Sequence, residues 1–353
     1  MGVILMTGAT GFIGGSMAAM LLAQGGSVIA ISRNDTQGDR TRKSINEAAE
    51  GFEIILDSSA LERLRVINSG SADLTAMLET SILKDIDIVW HGAAEMTFLN
   101  GSLPQSFRTN VCSTAAFYKK IVAGAPKCKR FYYVSTAYTA GMGGGDVLEE
   151  LHVSNPCINA YQTTKWCAEH ALHYLQLQHG LPVTLFRPTM VVGHTKTGWT
   201  RRNGLGIYRY MDAIKMVSDA GGKEIRLNIT ERGHPDMIPI DRLVKDAANL
   251  IGRVEQGTEF EIAHCACGRT LSTRQLTLLG GDIMGVSVSF GPAQSDSDRT
   301  AHNLIKWLLP FGNEDWNFDR SRLDLALGYK YQPITFNADQ LKRLVGWYCQ
   351  LSI

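Results

Sequence analysis

The chain opens on an apolar run, Val3-Ile4-Leu5-Met6, and breaks at Thr7-Gly8. It resumes with apolar positions at helical spacing through Met17, Met20, Leu21 and Leu22. A short continuous apolar run bounded by turn residues predicts a strand buried on both faces, and the period that follows predicts a helix. The same alternation recurs. Val28-Ile29-Ala30-Ile31, Arg65-Val66-Ile67, Asp87-Ile88-Val89-Trp90, Phe131-Tyr132-Tyr133-Val134 and Val183-Thr184-Leu185-Phe186 are the next predicted strands. Helical stretches are expected over 36–63 (with connections), 102–123 and 159–179. Strand and helix in alternation predict an α/β chain with a parallel sheet covered on both faces. Past Arg187-Pro188 the alternation loosens. A strand near 225–229, a helix near 240–252 and a strand near 259–263 are expected to return to the sheet.

Composition narrows the picture. The 353 residues are 44% hydrophobic, which supplies a large core, and the net charge is +1. A near-neutral chain argues against a nucleic-acid partner or a polybasic membrane role. No apolar run approaches the roughly 20 residues that span a bilayer. The first strand begins almost at Met1, so no leader and a cytoplasmic location are expected. Of seven cysteines only Cys265 and Cys267 are close in sequence. A Cys-x-Cys pair without a second pair is a poor metal site, so reduced thiols and no metal are expected.

The break after the first strand carries candidate chemistry. In Thr7-Gly8-Ala9-Thr10-Gly11-Phe12-Ile13-Gly14, Gly8 permits the tight turn, Gly11 lets a pyrophosphate approach, and Gly14 lets helix and strand pack closely. The free N–H groups at the helix start face the anion. Gly8, Thr10, Gly11, Phe12, Ile13 and Gly14 are therefore candidate dinucleotide contacts, and the fold class expected is a Rossmann-type doubly wound sheet. The second strand ends in Ser32-Arg33-Asn34, where an acidic residue meets a ribose 2′-hydroxyl and an arginine a 2′-phosphate. Arg33 is the candidate for the 2′-phosphate of NADP(H); stacking over the adenine is its alternative role. Arg40, Arg42 and Lys43 are weaker candidates. Asp35 lies too far past the strand end to decide for NAD(H), which stays open as the second cofactor. Asp73 and Leu74 are expected near the adenine, Gly92, Ala93 and Ala94 along the cofactor, and Pro188 and Thr189 at the end of the sixth strand. The organisation expected is a dinucleotide-binding domain over 1–190, with 225–263 returning to its sheet. A smaller substrate-binding region covers 191–224 and 264–353.

A second constellation has a mechanism. Thr136 lies at the C-terminal end of the fifth strand, and Tyr161 and Lys165 are four residues apart, on one helix face. A phenol titrates at about 10, and a neighbouring ammonium together with the positive nicotinamide ring favours its phenolate. Tyr161 is expected to protonate a carbonyl oxygen, Lys165 to lower that phenol's pKa and hold the nicotinamide ribose, and Thr136 to orient the oxygen. Asn110 is expected to support Lys165. His91, at a strand end, reads as structural. Trp199, Tyr208, Tyr210, Met211 and Met216 either line an apolar substrate pocket or belong to the core.

These motifs resemble the extended short-chain dehydrogenase/reductase superfamily. Val134-Ser135-Thr136-Ala137-Tyr138 is similar to a stretch of fatty acyl-CoA reductases, the male sterility group. Tyr161-Gln162-Thr163-Thr164-Lys165, Arg187-Pro188-Thr189 through Gly198, and Asp236-Met237-Ile238-Pro239 resemble stretches of these and of thioester reductases. The likeness covers about residues 1–265. It implies NADPH-dependent reduction of an acyl thioester, on CoA or a carrier protein, to an aldehyde. It also implies catalysis by Thr136, Tyr161 and Lys165, with Asn110 in support, and a homodimer, since superfamily members often pair. Arg201-Arg202 stands where thioester reductases tend to be acidic; it suits an anionic carrier arm or CoA phosphates, or is a solvated loop. The alternatives are a reductase of a small apolar or polycyclic ketone, a nucleotide-sugar epimerase or dehydratase, and a non-catalytic NADP(H) sensor.

Overall fold

The computed structural model describes residues 2–70, 74–153, 156–202, 204–254, 258–269, 271–328 and 336–350. Seven strands form its main sheet: β1 Val3–Thr7, β2 Ser27–Ser32, β3 Leu64–Asn68, β4 Ile88–His91, β5 Arg130–Val134, β6 Val183–Pro188 and β7 Phe260–Cys265. Their spatial order is β7-β6-β5-β4-β1-β2-β3, and every neighbouring pair is parallel. The chain first runs outward from β1 to β3, then crosses back to β4 and runs the other way. That reversal beside β1 is where open α/β sheets hold ligands, beyond the carboxyl ends of the strands.

Each face of the sheet has its own core. Helices α1 (Phe12–Ala23) and α2 (Asp39–Gly51) pack on one side. Helices α3 (Ser113–Gly124) and α4 (Ala160–His179) cover the other. Alternation along β5 shows the division: Tyr132 and Val134 face the first core, Phe131 and Tyr133 the second. The strands read as continuous apolar runs because both faces are covered.

Beyond β6 the chain builds a further core from α5 (Ile207–Asp219) and later segments. Helix α6 (Ile240–Gly252) and β7 return to the main sheet. The strand expected near 225–229 does not. It spans Glu224–Leu227 and pairs with Ser287–Phe290 in a separate two-stranded sheet. Its inward residues, Ile225 and Leu227, bury against α5 and not against the Rossmann core. The expected return of 225–263 is thus confined to its second half. Helices α7 (Thr273–Met284), α8 (Asp296–Ile305) and α9 (Ala338–Cys349) complete this region. No helix among the described residues is long and apolar enough to cross a membrane.

Candidate active site

A cleft of about 550 Å³ opens at the carboxyl edge of the sheet. Its lining includes Gly8, Thr10, Gly11, Phe12, Ile13, Gly14, Arg33, Leu74, Gly92, Ala93, Ala94, Thr136, Tyr161, Lys165, Pro188 and Thr189. These come from seven separate stretches of sequence. Asp73, the remaining expected cofactor contact, lies outside the described residues.

The floor is the turn between β1 and α1. Gly8 has φ +82°, and a Cβ there would lie 2.7 Å from the Gly92 carbonyl carbon. A Cβ on Gly14 would lie 2.1 Å from the Gly8 carbonyl oxygen. Both glycines are fixed by space within the chain. Gly11 is the N-cap of α1, in extended conformation, and no side chain caps the helix. The first N–H groups of α1 are left for an anion, and they line the cleft. A dinucleotide pyrophosphate fits this cradle.

At the adenosine end Arg33 is exposed and lines the cleft beside Arg40. Arg40 also donates to the Arg33 carbonyl, 3.1 Å. Asp35 turns inward. Its carboxylate accepts from the Arg40 N–H at 3.0 Å and from the Thr41 N–H and hydroxyl at 3.0 and 2.7 Å. Burial works against its charge, but these bonds hold the carboxyl below its ordinary value. Asp35 is spent on starting α2, which leaves arginine as the charged side chain at this edge of the cleft. Arg42 and Lys43 are exposed on α2, and Lys43 stands 3.9 Å from Glu47.

At the other end stands α4. Asn159 caps it, accepting from the Gln162 N–H at 2.8 Å, so Tyr161 falls in the first turn. Lys165 follows one turn later and is buried. Its ammonium donates to the Val134 carbonyl at 2.6 Å and the Tyr133 hydroxyl at 3.2 Å, pinning α4 to β5. Thr136 accepts from the Tyr138 N–H at 3.3 Å, which leaves its own hydroxyl proton free to donate.

The electrostatics differ from the expectation that Lys165 lowers the phenol's pKa. Burial raises the Tyr161 phenol above its ordinary value, and the Glu169 carboxylate adds to the rise. Burial also pulls Lys165 down to about 7, with Glu169 acting against the fall. From the chain's own groups, Tyr161 is a protonated phenol, poised as a donor.

Asn110 bonds beside Lys165 rather than to it. It sits in a π-helical turn, Arg108–Cys112, that interrupts the helix leading into α3. Its amide nitrogen donates to the Glu95 carbonyl and the Thr164 hydroxyl, both at 2.9 Å, and its oxygen accepts from the Glu95 N–H at 2.7 Å. It clamps the loop after β4 to α4 through the residue before Lys165, with no direct bond to the ammonium. The wider turn lets one helical residue reach both partners, and such turns concentrate at functional sites.

His91 is structural. Its ring bridges the Thr7 and Thr114 hydroxyls at 2.6 and 2.9 Å, and burial, aided by Lys165, drops it to about 3.

Of the aromatic and methionine candidates, Tyr208, Tyr210 and Met211 are buried in the core around α5, Met216 packs against it, and Tyr208 also lines the cleft. The apolar wall near Tyr161 comes from Phe98, Met190, Leu205, Leu308 and Phe311. The Phe98 ring lies 6.3 Å from that of Tyr161, edge on. The wall residues lie up to some two hundred positions apart in the chain, and no local pattern marks them.

A family model described as male sterility protein matches residues 6–247. The chain belongs to this family. It is an NAD(P)H-dependent oxidoreductase of the extended short-chain dehydrogenase/reductase type, with a dinucleotide-binding Rossmann sheet. Among curated relatives, the hybrid PKS-NRPS synthetase poxE of Penicillium oxalicum is 24% identical over 258 residues, covering 69% of this chain and 6% of that protein. The carboxylic acid reductase of Mycobacterium tuberculosis is 26% identical over 273 residues, covering 70% of this chain and 23% of that one. The chain thus spans a small part of these relatives' length. Among solved structures, the terminal R domain from the myxalamid PKS-NRPS pathway superposes with a TM-score of 0.78 at 19% identity, covering 99% of this chain and 90% of that one. The UDP-glucuronic acid 4-epimerase of Bacillus cereus, in complex with NAD, gives 0.71 at 20% identity, covering 99% and 97%. At such identities the structural matches establish the fold.

Proposed function

We propose that the chain is an NADPH-dependent reductase that converts an acyl thioester, on CoA or a carrier arm, to an aldehyde and a free thiol. The observation that carries this reading is that one cleft is lined by the glycine turn, Arg33, Thr136, Tyr161 and Lys165. NADPH, when bound, supplies the hydride. Gly8, Gly11 and the start of α1 receive its pyrophosphate, and Arg33 pairs with its 2′-phosphate. Lys165 holds the nicotinamide ribose. Thr136 and Tyr161 converge on the substrate oxygen. Thr136 donates a hydrogen bond that orients it, and Tyr161 delivers the proton that makes it a hydroxyl. A thioester reduced in this way becomes a hemithioacetal. Return of the hydroxyl proton through Tyr161 lets the C–S bond break, and the thiolate leaving group takes up a proton. The net change is one NADPH and one proton consumed per aldehyde and thiol released. Phe98, Met190 and Phe311 favour an apolar acyl chain over a sugar.

The relatives support the thioester over a simple ketone, since the chain's similarity runs to a PKS-NRPS synthetase and a carboxylic acid reductase. A spectrophotometric screen of NADPH absorbance tests the reading. Acyl thioesters, aldehydes and polycyclic ketones are offered in parallel, with NADH as the cofactor control. Thiol appearance equal to NADPH loss is the expected result. NADPH loss with ketones alone overturns the thioester assignment, and conversion of a nucleotide sugar without net NADPH loss makes the chain an epimerase.

A further inference from the structure

A second cleft, also of about 550 Å³, adjoins the first. The two share Gly11, Phe12, Thr200, Arg201 and Arg202, so they meet at the start of α1. Nothing in the reaction outlined above uses this second space. Its walls are built rather than incidental. The Trp199 ring packs 5.2 Å from Phe12 and 5.8 Å from Phe52, which fixes it between the nucleotide turn and the end of α2. Trp347 of α9 adds a second indole.

The charges are segregated. Arg201 and Arg202 occupy the edge shared with the catalytic cleft. Among the described residues neither has a carboxylate partner: Arg201 donates to the Thr10 carbonyl, and Arg202 faces the side-chain amide of Gln350. Glu47 and Glu50 of α2 stand elsewhere on the wall. An anion is therefore favoured at the shared edge over the exposed glutamate side of the wall. Two adjacent guanidiniums suit a phosphate better than a single carboxylate. The apolar catalytic cleft leads from this edge to Tyr161.

We propose that Arg201 and Arg202 bind the phosphate-bearing end of a pantetheine thioester, which enters by the second cleft and extends its acyl end to Tyr161. The proposal rests on the acyl-thioester reading above. The phosphate is common to CoA and to a carrier's phosphopantetheine arm.

The test compares one acyl chain on three thiols: CoA, free phosphopantetheine and N-acetylcysteamine, which has no phosphate. Both phosphorylated thioesters are expected to exceed the third in kcat/KM by tenfold or more, through KM. The Arg201→Ala/Arg202→Ala double variant is expected to narrow that gap to about threefold or less. Equal values for CoA and phosphopantetheine support recognition of the phosphate itself, as a carrier arm presents it. A further gain for CoA supports contact of its adenine with the tryptophan wall. Equal kcat/KM for all three, or a gap the double variant leaves intact, overturns the proposal. So does a rise in the NADPH dissociation constant as large as the loss of the gap, because the arginines then serve the dinucleotide. Calorimetric titration of the NADP-loaded enzyme with CoA is independent of turnover. Binding should weaken at least tenfold in the double variant, and unchanged binding overturns the subsite. If no thioester is reduced, the reductase reading fails while this titration still decides the subsite.

Discussion

At the scale of single residues, the site depends on groups whose protons are held by burial. Tyr161 keeps its proton because partial burial and the negative Glu169 both disfavour its phenolate. Replacing it by Phe removes the donor and leaves the cleft's shape. Turnover should fall at least about a hundredfold, the usual worth of a positioned acid, while NADPH affinity stays within about twofold. Single-turnover kinetics and a cofactor titration check this; full turnover in Tyr161→Phe would mean that another group supplies the proton, and unchanged biological output without turnover would favour the sensor. Arg33 governs the choice of cofactor. Arg33→Ala should lower kcat/KM for NADPH by about tenfold or more and leave NADH nearly unchanged, in keeping with a lost charge-assisted pair. A parallel loss with both cofactors would assign Arg33 to the adenine. His91 makes a prediction about stability. Folded His91 stays neutral down to about pH 3, whereas the unfolded chain takes up that proton near 6.5. The unfolded state then binds more protons over that window, so this group's contribution to stability is lost as pH falls from 6.5, by up to about 1.4 kcal/mol per pH unit. Glu149 and Asp236, raised by burial to about 7 and about 6, act with the opposite sign. The measurement is therefore a difference. Urea unfolding of wild type and His91→Gln between pH 7 and 5 should show the steeper acid loss in wild type; parallel curves would mean that His91 is charged in the fold.

At the scale of elements, the turn between β1 and α1 has the least freedom. Gly14→Ala sets a methyl group 2.1 Å from the Gly8 carbonyl oxygen, a backbone atom that cannot swing aside. The helix start must shift, and with it the N–H cradle. NADPH affinity should fall tenfold or more, with a drop in Tm, whereas Gly25→Ala, with open space around its Cβ but φ +82°, should cost stability alone. Equilibrium cofactor titration with thermal melts separates the two. That turn was legible in the sequence because its constraint is local: three glycines, a strand before and a helix after. The six strands from β1 to β6 were legible for a similar reason, since burial on both faces writes an uninterrupted apolar run. After β6 the helix Ile240–Gly252 and the strand Phe260–Cys265 were legible as well, but the strand near 225–229 was misplaced. Glu224–Leu227 is an apolar and charged mix that a main-sheet strand and a two-stranded ribbon share equally, and only its partner, Ser287–Phe290, decides. The π-turn holding Asn110 left no trace, because a one-residue widening does not disturb helical periodicity. Phe98, Leu308 and Phe311 meet through the fold alone. Tyr210 and Met211 carry the same chemistry as cleft residues and are core, so residue type cannot tell a pocket from an interior.

At the scale of the whole molecule, one buried cation joins the catalytic helix to the sheet, and a network through His264 and Glu149 extends to the C-terminal segment. Arg187, at the end of β6, donates from Nε and Nη2 to the two carboxylate oxygens of Glu169 at 2.9 and 2.7 Å, and both residues are fully buried. Its Nη1 lies 2.9 Å from the Glu150 carbonyl, 3.1 Å from His152 Nε2 and 3.3 Å from His264 Nε2. Burial, with Arg187 beside them, holds both imidazoles neutral, His152 near 4 and His264 well below its ordinary value, so each can accept. The His264 N–H, on β7, donates to Glu149 at 2.7 Å, and Glu149 also accepts from the Arg322 N–H at 2.6 Å. Glu169 lies one turn past Lys165 and opposes the fall in that ammonium's pKa. The pair therefore locks α4 in place and biases the charge of the site at once. Removing one partner leaves a buried charge alone, which costs about 3–5 kcal/mol, whereas replacing both by apolar groups of similar size is often neutral. Arg187→Met should destabilise by that amount in urea unfolding, and Arg187→Met/Glu169→Leu should recover most of it. Turnover should stay low in the double variant at neutral pH, because Lys165 loses the carboxylate that favours its charged form. Recovery of stability and turnover together would mean that the pair is scaffold alone; a loss below about 1 kcal/mol in Arg187→Met would mean that water reaches Glu169 and the network does not hold the molecule together.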